Sequence, residues 1–139
     1  MNLWKCYVPA VVCFCLLMLL GPAWPVEKKS ASGLVLDTAV MCETVEGIAP
    51  VNRAVVFSLD IGEVYCFTSF TDIHRETVVY HKWYRCDQLS TSRRLTLKPP
   101  RWSTVSKLQF READKGPWRV EIVDKSGQIL KTIRFSIVD

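Results

Sequence analysis

The chain has few of the residues on which catalytic sites depend. Its 139 residues include six glycines and two histidines, His74 and His81. A serine nucleophile needs a base beside it and an oxyanion hole, and these two histidines are the base candidates. Ser103 and Ser106 in "RWSTVSK" are conceivable nucleophiles, but no glycine-rich turn surrounds either. The sequence therefore predicts that this protein is not an enzyme.

Patterns typical of metal and redox sites are also missing. The spacing of four potential zinc ligands fits no established zinc motif; they are Cys66, His74, His81 and Cys86. No C-x-x-C pair is present that would indicate a redox-active dithiol. Two carboxylate pairs read as solvated groups beside turns or on a charged loop; they are Asp60 with Glu63 and Glu112 with Asp114. We expect no metal and no cofactor.

The net charge of +4 is modest and is not concentrated along the chain. Lysine and arginine cluster only at Lys28-Lys29 and at Arg93-Arg94. A nucleic-acid-binding domain normally carries a basic stripe on one face. The charge pattern therefore predicts no nucleic-acid partner.

The N-terminus has the pattern of a secretory signal. A short segment containing Lys5 precedes an apolar run, Cys6 to Leu20, and Gly21-Pro22-Ala23 supplies small residues for cleavage. We predict a signal peptide over residues 1–23 and a periplasmic or extracellular location. The alternative is an uncleaved membrane anchor, although this run is short against the roughly 20 residues that cross a bilayer.

After this segment the sequence predicts one all-β domain. Residues 24–39 are small, polar and charged, which is typical of a flexible spacer, and the domain is expected over residues 40–139. Short runs of β-branched and aromatic residues follow, separated by glycine, proline, aspartate and serine. We place strands at 40–45, 54–59, 63–70, 77–85, 93–97, 104–110, 117–124 and 129–138. This spacing favours an immunoglobulin-like or fibronectin-like antiparallel β-sandwich of about seven to eight strands, with a small barrel as the alternative.

Without the signal segment three cysteines remain: Cys42, Cys66 and Cys86. In an oxidising compartment an odd number suggests one disulfide and a free thiol, or a link between chains. Three intramolecular pairings exist, and the spacing of the cysteines does not choose among them. A buried, unbonded Cys66 is a further alternative.

Four motifs in order resemble the bacterial domain of unknown function family DUF2914. They are "GEVYCFT", "HKWYR", "RWSTVSK" and "GPWRVEIVDKSGQILKTIRFSI", and the resemblance extends over roughly residues 40–139. It implies an uncharacterised bacterial domain that often follows a signal or membrane segment, with no assigned reaction or ligand. It also implies a Cys42–Cys66 disulfide, because family members often carry cysteines at these two places. Cys86 stands where the family more often has a turn residue.

Aromatic residues give the main indication of function. Trp83 and Trp118 share strand faces with aliphatic residues and are predicted to be core. Candidate surface-binding residues are Tyr84, Arg101, Trp102 and Lys107. They support a non-catalytic interaction module that binds another envelope protein through an edge strand or a patch. The alternative is a glycan or peptidoglycan binder that stacks sugars on Tyr84 and Trp102.

Overall fold

The computed structural model describes residues 33–139, which form two packed β-sheets. The predicted signal peptide, residues 1–23, and most of the predicted spacer lie outside the described residues. The described part contains nine strands: β1 (Val35–Glu46), β2 (Ala49–Arg53), β3 (Val56–Ser58), β4 (Glu63–Thr71), β5 (Thr77–Arg85), β6 (Gln88–Leu97), β7 (Trp102–Gln109), β8 (Gly116–Asp124) and β9 (Ile129–Val138). Within it the helical turns are 3₁₀ turns, and no helix there has the length and apolarity needed to span a bilayer.

The strand order is that of an immunoglobulin-like sandwich. The first sheet has the order β2-β1-β4-β7 and the second has the order β3-β9-β8-β5-β6. Between its nine described strands the chain changes sheet five times, on entering β3, β4, β5, β7 and β8, as Greek-key sandwiches do. Every pairing is antiparallel except that of β3 with β9. The predicted all-β sandwich is confirmed, with nine strands instead of seven or eight.

Three strands differ from the sequence-based placement. β1 starts at Val35, because residues of the predicted spacer pair with the end of β4, where Val35 lies opposite Thr71. β2 was not predicted, since it is short and contains Pro50. β6 starts at Gln88, five residues before the predicted strand; this polar segment is exposed at the sheet edge and has no apolar alternation to reveal it.

Apolar side chains from both sheets fill the space between them. Trp83 and Trp118 are buried, as predicted, and both pack on Phe135, with ring centroids 5.9 and 6.3 Å away. A second cluster around Phe70, Val79 and Ile122 fills the other end of the sandwich. Burial of large aromatic rings is the main favourable term for a domain of this size.

Two turns follow from their sequences. Gly62 adopts a left-handed conformation, φ 72°, and separates the 3₁₀ turn at Leu59–Ile61 from β4. In the predicted "DKSG" hairpin, the buried Asp124 carboxylate accepts hydrogen bonds from the Ser126 and Gln128 backbone N–H groups. Gly127 supplies the positive φ of 88°. This hairpin prediction is confirmed.

A buried polar chain crosses the apolar interior and joins the two sheets. His81 on β5 lies with Nδ1 2.7 Å from Ser106 Oγ on β7 and with Nε2 3.1 Å from Thr68 Oγ1 on β4. Trp83 Nε1 donates to the same Ser106 hydroxyl over 3.2 Å, and Thr68 Oγ1 donates to the Thr104 carbonyl over 3.5 Å.

One tautomer of His81 satisfies every member of this chain. Ser106 accepts from Trp83 and donates to Nδ1, while Nε2–H donates to Thr68, whose hydroxyl then reaches the Thr104 carbonyl. With the proton on Nδ1 instead, the Ser106 hydroxyl would have no acceptor within this series of hydrogen-bonded side chains. We therefore assign the Nε2–H tautomer. Burial without a counter-charge lowers the pKa of His81 to about 4.

Acid should destabilise the domain through His81. The unfolded state binds this proton near pH 6.5 and the folded state near pH 4, so stability is complete above pH 6.5 and falls as the pH decreases toward 4. The loss should approach about 3 kcal/mol, as a pKa difference of this size implies. Urea unfolding at several pH values measures it. The variant His81→Gln should be less stable at pH 7 and show a flatter profile in this window; an unchanged profile would contradict the assignment.

Replacing Ser106 should cost far more than replacing its neighbour on the same strand. Ser106→Ala removes the acceptor of Trp83 Nε1 and the donor to His81, and leaving such buried groups unpaired costs about 1–3 kcal/mol. The matched control is Ser103→Ala, on the outer face of β7, with an expected change below about 0.5 kcal/mol. Equal costs measured by denaturant unfolding would show that the buried chain contributes no stability.

Candidate functional site

The structure separates the four predicted surface residues into three places. Arg101 and Trp102 lie together where the chain enters β7, and Lys107 follows on the same strand, about 17 Å from Trp102 by strand rise. Tyr84 lies on the other sheet, near the opposite end of the sandwich. Tyr84 and Trp102 therefore do not form one shared platform for sugar stacking.

Strand β7 is an open edge of the first sheet, paired with β4 on one side only. The Phe110 N–H donates to the Gly62 carbonyl, so Gly62 and Phe110 form a hydrogen-bonded pair of this antiparallel ladder. Hydrogen-bonded and non-bonded pairs alternate along the ladder from there. Ser103, Val105 and Lys107 belong to the non-bonded pairs. Their backbone N–H and C=O groups consequently point away from β4, toward the open side.

The outer face of the first sheet is partly covered by the hairpin of β1 and β2. Ile48, at the tip of this hairpin, and Thr38, near the start of β1, line one cleft of about 730 Å³. A straight β1 would separate them by more than about 25 Å, so the hairpin bends back over the sheet. This bend explains why Cys42 and Phe67 are buried although their positions face outward.

The cleft combines an apolar floor with two arginines. Phe67 contributes the floor, Ser69 and Ser103 contribute hydroxyl groups, and Arg53 and Arg101 contribute guanidinium groups. In the part of the chain that the structure describes, neither arginine forms an ion pair. The Asp37 carboxylate on this face is engaged by Ser69, which donates a hydrogen bond to it over 3.1 Å. The cleft can therefore hold a negatively charged group.

Trp102 borders the cleft at the end of the sandwich. It pairs with Phe70, is 38% exposed, and has Lys98 Nζ 5.7 Å from its ring centroid. Val105, two residues past Ser103 on the outer face, is 39% exposed. The start of β7 thus presents apolar surface next to free backbone groups.

Lys107 is already engaged within the domain. Its ammonium group contacts Glu63 over 3.0 Å and lies 5.8 Å from the Tyr65 ring centroid. The Tyr65 hydroxyl donates to Glu63 over 2.5 Å, and this bond, followed by the one from Lys107, lowers the pKa of Glu63. Lys107 therefore neutralises a neighbouring carboxylate, in contrast to Arg53 and Arg101.

Tyr84 is covered by a cation. The Arg119 guanidinium lies 4.2 Å from its ring centroid and is held there by contacts with Asp87 and Glu121. Burial is the largest contribution that raises the pKa of Tyr84, with Glu121 adding to it. A sugar that stacked on this face of Tyr84 would first have to displace Arg119.

The residues considered for catalysis and metal binding fall into unrelated places. Ser106 and His81 do meet at 2.7 Å, but both are buried in the polar network between the sheets. His74 lies in the loop after β4, at a different cleft. Within residues 33–139, no three histidine, cysteine or acidic side chains come together in a group that could hold a metal ion.

The predicted Cys42–Cys66 disulfide is not formed. All three cysteines of the described region are free; Cys42 and Cys66 are buried and Cys86 is exposed. In the β1–β4 ladder Cys42 faces Tyr65, and Cys66 faces Met41. Neighbouring positions on a strand point to opposite faces, so Cys66 enters the core while Cys42 points to the outer face of the sheet, where it is also buried. Burial raises the pKa of both thiols.

Sequence reasoning found Arg101 and Trp102 but missed the rest of the cleft. Arg53, Ile48 and Phe67 come together only because the β1–β2 hairpin bends over the sheet. The sequence does contain a signal for this hairpin, since Gly47, with φ 62°, lies between two runs that pair from Cys42 to Arg53. It contains none for the direction of the bend.

Comparison with known families confirms the resemblance over the second half of the domain. Residues 76–137 match the model of the family described as "Protein of unknown function (DUF2914)". This matched segment runs from the start of β5 nearly to the end of β9. The "GEVYCFT" motif on β4 and the cleft residues of β1 and β2 lie outside the matched segment.

Other comparisons give only distant similarity. No curated protein matches the chain. Among solved structures, β-glucosidase from Listeria innocua in complex with glucose matches with a TM-score of 0.47 and 10% identity, over 76% of this chain and 16% of that chain. The same enzyme without the sugar matches with a TM-score of 0.45 and 10% identity, over 75% and 15%. This chain thus spans about a sixth of those proteins, and the similarity carries no inference about function.

The positions of the thiols predict their reactivity. In the native protein iodoacetamide should alkylate Cys86, while Cys42 and Cys66 should react only after unfolding, because they are buried and their pKa values are raised. Peptide mapping by mass spectrometry distinguishes the three sites. A peptide linked through Cys42 and Cys66 in a non-reducing digest would contradict the free thiols.

Proposed function

We propose that this protein is an exported, non-catalytic interaction module that binds an extended segment of another cell-envelope protein along strand β7. Strand addition supplies affinity through backbone hydrogen bonds and specificity through alternate side chains. Ser103, Val105 and Lys107 offer the backbone groups. Export is inferred from the N-terminal apolar run, and it would place both molecules outside the cytoplasm.

The observation that carries this proposal is the difference between β7 and the other three edge strands. Proteins protect sheet edges with short strands, proline or charge, because an unprotected edge pairs with other chains. β2 contains Pro50 and Arg53, β3 has only three residues, and β6 carries Arg93 and Arg94. The first five residues of β7, "WSTVS", carry neither charge nor proline.

The exposed side chains of β7 fit a docking strand. Trp102 and Val105 are more than a third exposed, and Ser103 lies between them. Aromatic side chains next to a polar rim are typical of residues that dominate protein interfaces. The buried side of the strand is fixed, since Ser106 bonds to His81 and Trp83. A partner would therefore meet a rigid edge.

For the alternative function, a glycan binder, only one of the two predicted stacking residues is accessible. Trp102 is accessible at the cleft, whereas Tyr84 is covered by Arg119 at the far end of the molecule. A glycan site would depend on the Trp102 ring and be insensitive to the backbone N–H groups of β7. The two functions therefore respond differently to the substitutions below.

The test is to remove one outward backbone donor without changing the ladder to β4. Val105→Pro should abolish capture of the partner, because proline has no N–H, while edge strands accept proline at such positions. Val105→Thr keeps the N–H and is the matched control, with capture expected to persist. Crosslinked affinity capture of the natively exported protein from envelope fractions, scored by mass spectrometry, compares the two.

Three outcomes would overturn the proposal. They are capture that is equal for both variants, recovery of cell-wall glycan that depends on Trp102 alone, or recovery only of a second copy of this chain. Circular dichroism shows whether Val105→Pro folds. If it does not, Val105→Lys places a charge on the open edge and should reduce capture to the same extent.

A further inference from the structure

Building on the proposed strand addition, we propose that the segment bound along β7 carries an acidic side chain, which enters the cleft under the β1–β2 hairpin and is held by Arg53 and Arg101. The acidic residue would be an aspartate or glutamate of the partner protein. This names the chemical class of the ligand and the two residues that recognise it.

Strand geometry directs one face of the partner into the cleft. Residues of an added strand that hydrogen-bond with Ser103 and Val105 lie directly opposite them, so their side chains point to the same face. For Ser103 and Val105 that is the outer face of the first sheet, where the cleft lies. Arg101 comes two positions before Ser103 in the chain and borders the same cleft.

Charge decides which side chain is preferred there. Neither Arg53 nor Arg101 has an ion-pair partner among residues 33–139, and the cleft lining contains no carboxylate. By contrast, Lys107 already contacts Glu63, and Arg119 contacts Asp87 and Glu121. Two unpaired guanidinium groups beside the buried ring of Phe67 form a site of reduced polarity, in which a carboxylate would form charge-assisted hydrogen bonds.

The hydroxyl groups of the cleft are consistent with this occupant. Ser103 and Ser69 face each other across β7 and β4, and Ser69 is oriented by its bond to Asp37. Because the Ser69 hydroxyl proton is donated to Asp37, Ser103 is the hydroxyl that can donate to a carboxylate oxygen that the arginines leave free. A basic side chain would instead meet two like charges and lose affinity.

The experiment selects peptides from a random phage-displayed dodecapeptide library on the immobilised, natively exported protein. Peptides are retained for analysis when they bind wild type and fail to bind Val105→Pro, so each uses the β7 edge. We expect these peptides to be enriched in aspartate or glutamate at one position. Arg101→Gln and Arg53→Gln should each weaken their binding about tenfold, as loss of a charge-assisted bond implies, and Arg94→Gln on β6 is the matched control.

The outcomes separate this inference from the proposal it depends on. Edge-dependent peptides with no acidic residue, or with affinities unchanged by Arg53→Gln and Arg101→Gln, overturn the acidic ligand and leave strand addition in place. No edge-dependent peptide at all overturns both.

Discussion

The hydroxyl of Ser106 is the point on which the arrangement of the two sheets depends. It accepts from Trp83 and bonds to His81, and so joins an edge strand of one sheet to the interior strand β5 of the other. Apolar packing sets how closely the sheets approach but not how they slide over each other, because it is not directional. Hydrogen bonds in a buried site are directional and costly to leave unmade. The chain from Trp83 to the Thr104 carbonyl therefore fixes one register between the sheets.

This anchoring also explains how an unprotected edge can stay ordered. β7 has a hydrogen-bonded neighbour on one side only, and an edge strand with exposed apolar residues would otherwise tend to fray or to pair without selectivity. Ser106 holds its middle from the inside, and the Phe110 N–H bond to Gly62 continues the ladder past its end. The face turned to solvent is thus rigid although its backbone groups are free, and rigidity before binding reduces the entropy lost on association.

Much of the fold was predictable from sequence, because the determining signals are local. Alternating apolar residues placed β4, β5, β8 and β9, "DKSG" placed the last hairpin, and the aliphatic neighbours of Trp83 and Trp118 placed both rings in the core. Strands without alternation escaped: β2 is short and contains Pro50, and the start of β6 is polar on both faces. The predicted Cys42–Cys66 disulfide was wrong for a different reason, because whether the two thiols meet depends on the register between β1 and β4. One position of offset between the strands turns the two thiols to opposite faces.

The composition of the cleft could be predicted only in part, because local sequence patterns do not reveal contacts between distant segments. Arg101 and Trp102 could be found because they adjoin each other in an exposed stretch, but Arg53 is 48 positions earlier in the chain and reaches them only through the bend of the β1–β2 hairpin. Phe67 and Cys42 are buried on the outer face beside this bend, while β1 stays paired with β4 from Val35 to Cys42. The bend that covers Phe67 also brings Arg53 into the cleft beside Arg101. Stability of the hairpin and the proposed recognition at β7 are therefore physically coupled, and a change that weakens the packing on Phe67 should act on both.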